Sequence, residues 1–213
     1  MTELAMDTWE RRDIYRFFSA FRDPFWSVTC EVDVTELKTF CRDRGYSFYH
    51  TMIFLSTCAC SKVEEMLMGV RDGRPVRYEK RDPSFTDIRP GERCFRIITL
   101  PFDRDLKNFL KNCRRAAAEQ KGFIDMEKER DDLIFFSCLP GIPYTALKGE
   151  PGNDPHDSAP RMTWGQYTLK DGRLIMPFTL EVNHAFLDGL HAGEFFARLR
   201  ELLAAPEDLE PCP

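Results

Sequence analysis

The chain has 213 residues, of which 43% are hydrophobic and 31% charged, and a net charge of -5. That balance supports an ordinary buried core and excludes an intrinsically disordered chain. The acidic balance disfavours wholesale nucleic-acid binding, while a local basic patch could still hold an anionic cofactor. The amino terminus, MTELAMDTWERR, lacks the apolar core of a signal peptide, and the most apolar run, residues 48–60, is too short to span a bilayer. The expectation is a soluble, cytoplasmic protein forming one domain over residues 1–213. Cysteines at 30, 41, 58, 60, 94, 113, 138 and 212 form no C-x-x-C pair, so they read as reduced thiols with no metal site.

Residues 9–21 (WERRDIYRFFSAF) mix aromatics with arginines and start a short helix. Residues 26–34 alternate as a strand. Thr35 is a plausible N-cap for a helix through Cys41 that Gly45 closes. Residues 48–68 suit a mostly buried helix whose methionines pack in the core. A turn and hairpin follow around Asp72-Gly73. The nearby Arg71, Arg74, Arg77, Lys80 and Arg81 read as a solvated face, with contact to phosphates as the functional alternative. Residues 94–101 form a strand candidate, residues 105–121 a helix with a basic, solvated face, and residues 133–139 (LIFFSCL) a buried strand in which Ser137 is the polar exception.

Residues 144–160 are rich in Pro, Gly and Asp and read as a flexible surface loop. Residues 161–169 and 173–183 form two strands joined at Lys170-Asp171-Gly172. In the second, Phe178, Leu180, Val182 and His184 alternate with Thr179, Glu181 and Asn183. Asp188-Gly189 breaks that strand, with Gly189 free to take unusual backbone angles. Leu190, Phe195, Leu199 and Leu202 or Leu203 then recur at helical spacing. His184 thus ends a strand beside a turn and a helix start. Spacing leaves three readings: a core histidine, a metal ligand with Asp188 and His191, or a general base, because neutral imidazole with a pKa of about 6.5 accepts protons at neutral pH.

His184-Ala185-Phe186-Leu187-Asp188-Gly189 spells H-x-x-x-D-G. It resembles the motif of the coenzyme A-dependent acyltransferases, and the nearest family is chloramphenicol acetyltransferase. Matching segments run in the family's order from Trp9 to about Leu203: the Trp-x-Arg-Arg opening, the DVT and SFY segments, DPSFT at residues 82–86, and a Ser-x-x-Pro segment at Ser137. The resemblance implies an α/β fold, a two-layer sandwich of a mixed β-sheet packed by helices, and a homotrimer with active sites at subunit interfaces. It implies acetyl transfer from acetyl-coenzyme A to a hydroxyl of chloramphenicol or another small-molecule alcohol, with no metal, nucleic acid or membrane involved.

By the same resemblance His184 is the general base, and Arg11 pairs with Asp188 to shape the loop that presents it. Ser137 stabilises the oxyanion and Thr163 assists through a water, both residues facing the cosubstrate. The chain departs from the family at three places: Asn183 stands for a second histidine, Gly141 for a tryptophan that contacts coenzyme A, and Leu67 for an arginine. These departures, with the replaced loop at residues 144–160, imply altered ligand pockets. Two other readings use the same fold: a trimeric ligand-binding protein with a relic site, and acyl transfer to a thiol, as in the acyltransferase cores of large dehydrogenase complexes.

Overall fold

The structure, a computed structural model, describes residues 1–150, 154 and 156–207. Cys212 and positions 151–153 and 155 of the predicted loop lie outside the described residues. In chain order the elements are β1 (Thr2–Glu3), α1 (Arg12–Phe18), β2 (Phe25–Asp33), α2 (Thr35–Arg44) and α3 (Phe48–Ser61). Next come β3 (Met68–Arg71), β4 (Arg74–Arg77), β5 (Asp82–Asp87), β6 (Arg96–Thr99), α4 (Leu106–Glu119) and β7 (Leu133–Cys138). The chain ends with β8 (Arg161–Trp164), β9 (Thr168–Lys170), β10 (Arg173–Asn183) and α5 (Gly189–Ala204).

A mixed sheet runs β2-β10-β8-β7-β5-β6, with β9 also paired to β10. β7 lies parallel to β5 and β8, and the other pairs are antiparallel. β10 is the axis, paired with β2 along its length from Ile175 opposite Asp33 to Asn183 opposite Phe25. Its alternation puts Met176, Phe178, Leu180 and Val182 on the helix-covered face, where all four are fully buried. Each such side chain contributes about 1.5–3 kcal/mol by leaving water. A smaller sheet, β1-β4-β3, carries the hairpin turn at Asp72 (φ 53) and Gly73 (φ 74). Asp171 (φ 48) and Gly172 (φ 79) turn β9 into β10.

The helices cover one face of the large sheet. Every residue at positions 50–60 of α3 is buried. Two of its hydroxyls are satisfied locally: those of Thr51 and Thr57 donate to the carbonyls of Ser47 and Ile53, both at 2.8 Å. α5 presents Phe195, Phe196, Leu199 and Leu203 to the core. Leu190, expected on that face, is 69% exposed, while His191 and Ala192 beside it are the buried residues of that first turn. No described helix is long and apolar enough to cross a membrane.

Several expectations need correction. Thr35 is the first helical residue and not the cap; Asp33 accepts its N–H (3.0 Å) and hydroxyl (2.6 Å), while the Thr35 hydroxyl accepts the Leu174 N–H at 2.8 Å. α2 continues to Arg44 before Gly45 closes it. The predicted helix over 48–68 ends at Ser61, because Met68 pairs with Arg77 across the hairpin and draws the chain into β3. The expected strand over 161–169 is interrupted at 165–167, leaving β8 and β9. Gly189 takes no positive φ and opens α5 with free space around it.

The solvated face expected of the basic run holds for Arg74 and Lys80, which are exposed, but not for Arg81. Arg81 is 1% exposed, and its guanidinium donates to the carbonyls of Met66 (2.7 Å), Met68 (2.7 Å), Asp131 (3.1 Å) and Leu133 (3.0 Å). Those carbonyls lie at changes of secondary structure, and the five N–H groups of one arginine satisfy them together. Arg71, Arg74, Arg77 and Lys80 pair with Asp131, Glu3, Glu64 and Asp82. The loop expected at the surface is also partly packed. Ser158 and Ala159 are buried, and Ser158 Oγ accepts the Val70 N–H at 3.0 Å. Its short polar residues satisfy backbone groups that the sheets leave open.

Candidate active site

β10 ends at Asn183, and the turn after it is tied from several directions. The Asn183 carbonyl accepts the N–H groups of Phe186 and Leu187, each at 3.1 Å, and its side-chain oxygen accepts that of Ala185 at 2.9 Å. Its amide donates to the Asp157 carbonyl at 3.1 Å. This asparagine, whose side chain mimics a backbone turn, therefore organises the loop that holds the next residue. His184 donates its own N–H to Pro24 O at 2.8 Å. Its ring lies parallel to Phe18, with centroids 4.1 Å apart and planes at 4°, and tilted to Trp26 at 5.5 Å. Trp26 Nε1 in turn donates to Leu187 O at 3.1 Å. Nδ1 of His184 is buried with no hydrogen-bond partner among the described residues. Nε2 is the ring nitrogen not enclosed in this way.

Asp188 caps α5. Its carboxylate accepts the Leu190 N–H at 3.0 Å and Arg11 Nη1 at 2.7 Å, and its own N–H donates to His191 Nδ1 at 3.2 Å. Desolvation pushes the Asp188 carboxyl up, but the bonds from Arg11 and Leu190 and the nearby His191 outweigh it and hold the group below its ordinary value. His191, offered by the sequence as a metal ligand, is committed to this reciprocal cap, with Nε2 3.6 Å from Glu65 Oε1. Among the described residues no group of three metal-type ligands forms.

Ser137 and Thr163 lie in adjacent strands as register partners, and Thr163 stands opposite Thr179 of β10. These pairings put all three on the sheet face away from the helices. They line a cleft of about 420 Å³ together with Thr86, Phe135 and Glu181. Glu181 is only 4% exposed. Its carboxylate accepts the Gly149 N–H at 2.9 Å and faces Arg161 Nη1 at 3.6 Å, while Arg161 also pairs with Asp157. Sequence reasoning missed Glu181, whose one signal is a charged residue within a strand of otherwise buried residues. It also missed Tyr144, whose hydroxyl donates to Thr163 O at 2.6 Å.

The structure brings Arg11 to Asp188 and Ser137 to Thr163, but not His184 to Ser137. Thr179, the partner of Thr163, precedes His184 by five residues, about 17 Å along a strand. His184 also packs on α1 and β2, outside the residues that line the cleft. Hydrogen-bond reach is about 3 Å, so within one chain the two halves cannot meet on one substrate atom.

The sequence model of chloramphenicol acetyltransferase matches residues 1–200. The chain belongs to the chloramphenicol acetyltransferase family. It is an acyltransferase. Chloramphenicol acetyltransferase 3 of Escherichia coli is 26% identical over 204 residues, covering 94% of this chain and 96% of that protein. A solved chloramphenicol acetyltransferase superposes with a TM-score of 0.85 at 23% identity, over 95% of this chain and all of the other. The dihydrolipoamide acetyltransferase of Azotobacter vinelandii shares the fold at a TM-score of 0.68 and 18% identity, over 92% of this chain and 88% of the other. Of the departures that the resemblance implied, Gly141 has φ +84, where a tryptophan would be strained. Leu67 is buried, its carbonyl accepting the Tyr78 N–H at 2.9 Å.

Proposed function

We propose that this acyltransferase moves an acetyl group from acetyl-coenzyme A to a hydroxyl of chloramphenicol or another small-molecule alcohol, by direct attack with His184 as general base. His184 Nε2 takes the proton of the acceptor hydroxyl as its oxygen attacks the acetyl carbonyl. The carbonyl π pair moves onto oxygen, and the Ser137 hydroxyl donates to that oxyanion, with Thr163 assisting through a water. Collapse re-forms the carbonyl and breaks the carbon–sulfur bond, and His184 returns its proton to the departing thiolate. General-base assistance is worth about 10²–10⁴ in rate, and one oxyanion donor about 10²–10³.

The observation that carries this reading is the division of the chain into two half-sites. One end of β10 presents a ring-clamped histidine on a turn fixed by the Arg11–Asp188 pair. The far sheet face presents two register-paired hydroxyl residues in a cleft. A homotrimer in which His184 of one copy faces the Ser137–Thr163 cleft of the next joins them, and the substrates then react while held together, an advantage over free collision.

The test is thiol release from acetyl-coenzyme A, with and without chloramphenicol, in wild type and His184→Ala, alongside sedimentation to give the oligomeric state. Acceptor-dependent release that vanishes in the variant supports the base and the alcohol together. Release that persists in His184→Ala, or a sedimentation mass of one chain with full activity, overturns the reading. Dihydrolipoamide in place of the alcohol distinguishes a thiol acceptor.

A further inference from the structure

On the cleft face a line of hydroxyls crosses three segments of the chain. Thr29 and Thr179 hydroxyls are 2.7 Å apart, Thr179 Oγ1 donates to the Tyr144 hydroxyl at 3.0 Å, and the Tyr144 hydroxyl donates to the Thr163 carbonyl at 2.6 Å. Each hydroxyl has one proton to give. With Thr179 donating to Tyr144, Thr29 must donate to Thr179, so the line has one direction and ends on the backbone of Thr163. Burial pushes the Tyr144 phenol above its ordinary value, and it stays protonated as the last donor.

Tyr144 is seated by a second, independent fit. A Cβ on Gly165 would lie 2.3 Å from Ile142 O and 3.0 Å from Tyr144 Cδ1. Only the bare glycine lets residues 142–144 press onto the break between β8 and β9. There the Gln166 N–H donates to Ile142 O at 3.0 Å and the Gly165 N–H to Pro177 O at 3.1 Å. The loop is thus clamped immediately after Thr163, with its phenol aimed at the Thr163 carbonyl.

We propose that Tyr144 is a positioning residue for the cleft wall: through the line Thr29–Thr179–Tyr144 it fixes the backbone of Thr163, and hence where the Thr163 hydroxyl meets the reacting acyl group. The proposal rests on the role given to Thr163 above. It makes Tyr144, where the loop over residues 144–160 begins, part of the catalytic scaffold.

The experiment is a double-mutant cycle with Tyr144→Phe and Thr163→Ala. It is read as kcat and KM for thiol release from acetyl-coenzyme A with chloramphenicol, together with hydrogen–deuterium exchange of the peptide over residues 161–164. Tyr144→Phe keeps the ring and removes only the donor. It should lower kcat about twofold to tenfold, the effect of losing one hydrogen bond to a carbonyl that the β8–β10 ladder also holds, with KM for acetyl-coenzyme A within about twofold, since loss confined to kcat marks an interaction realised in the transition state. In Thr163→Ala it should add almost nothing, because residues acting through one another are not additive. Thr179→Val should reproduce part of the loss. Exchange over 161–164 should quicken in Tyr144→Phe whether or not chloramphenicol is the acceptor. Unchanged exchange overturns the proposal, as does an unchanged kcat beside an impaired Thr163→Ala. Full additivity would mean that Tyr144 acts elsewhere. An inert Thr163→Ala removes the role given to Thr163, and the positioning role falls with it, while the base assignment to His184 stands on its own variant.

Discussion

The two faces of β10 are built on different rules. On the helix side, Met176, Phe178, Leu180 and Val182 are fully buried against a continuous apolar core. On the other side, Thr179 and Glu181 are almost as buried, yet each is held by discrete bonds to segments far away in sequence: Thr29, Tyr144 and Gly149. The first face is non-directional, so any well-shaped apolar neighbour serves. The second is directional, so each partner has to be one particular group at one particular place. A single strand can therefore be a generic structural axis on one side and a specific chemical wall on the other.

Three changes would break or sharpen this contrast. The largest effect is expected from Phe178→Ala, which empties a filled position on the apolar face and should cost about 3–5 kcal/mol. Urea unfolding would measure it, and a loss below about 1 kcal/mol would mean the core collapses freely around the gap. A smaller effect is expected from Arg11→Ala at the end of the strand. Breaking a buried pair costs about 3–5 kcal/mol, but the Asp188 side chain is 35% exposed, and solvent screening should reduce this to about 1–2 kcal/mol. The pH dependence has a definite sign. The Asp188 carboxyl is held low in the folded protein, so its contribution is present above the ordinary carboxylate range and is lost as pH falls through the folded value. Arg11→Ala should flatten that acid limb of the stability curve, and an unchanged limb would count against the pairing as its source.

The smallest effect should come from His50, the exception on the apolar side. Both of its ring nitrogens are buried without partners among the described residues, between the rings of Tyr49 and Phe85. Burial lowers its pKa against the opposing pull of Asp87, and Arg114 lowers it further. The folded value is below the unfolded one, so stability should fall as pH drops below about 6.5, where only the unfolded chain takes the proton. His50→Phe should remove that part of the slope between pH 7.5 and 5.5 in paired unfolding curves. An identical slope would show that another group supplies it.

The same contrast explains how much of the molecule could be read from its residues. The apolar face of β10, the strands either side and the helix after Asp188 follow from periods of 2 and 3.6, which are local properties of the chain. The turn holding His184 was legible as a break followed by a helix start, although the capping was not: Asn183 and His191 do their bonding through side chains whose targets no pattern encodes. Ser137 and Thr163 could be assigned to strands, while their register across β7 and β8 came only from the folded sheet. Arg81 was misread because its neighbours in sequence are charged and solvated. The carbonyls it satisfies come from residues 66, 68, 131 and 133, together only after folding. Glu181 and Tyr144 belong to the same class, since each is paired across a junction between strand and loop that no periodicity places.

The burial of α3 carries a consequence for how the protein is assembled. A helix with every residue from positions 50–60 enclosed has no surface of its own on which to be stable. It can be seated only when the sheet lies beneath it and α4 and α5 have closed against it. The helix α5, which adjoins the histidine turn and follows α3 in the chain, therefore acts as the lock of one cooperative unit. A nascent chain not yet carrying it would hold its most apolar segment open, a state that chaperones exist to shield. Completion of the core and presentation of His184 become a single event.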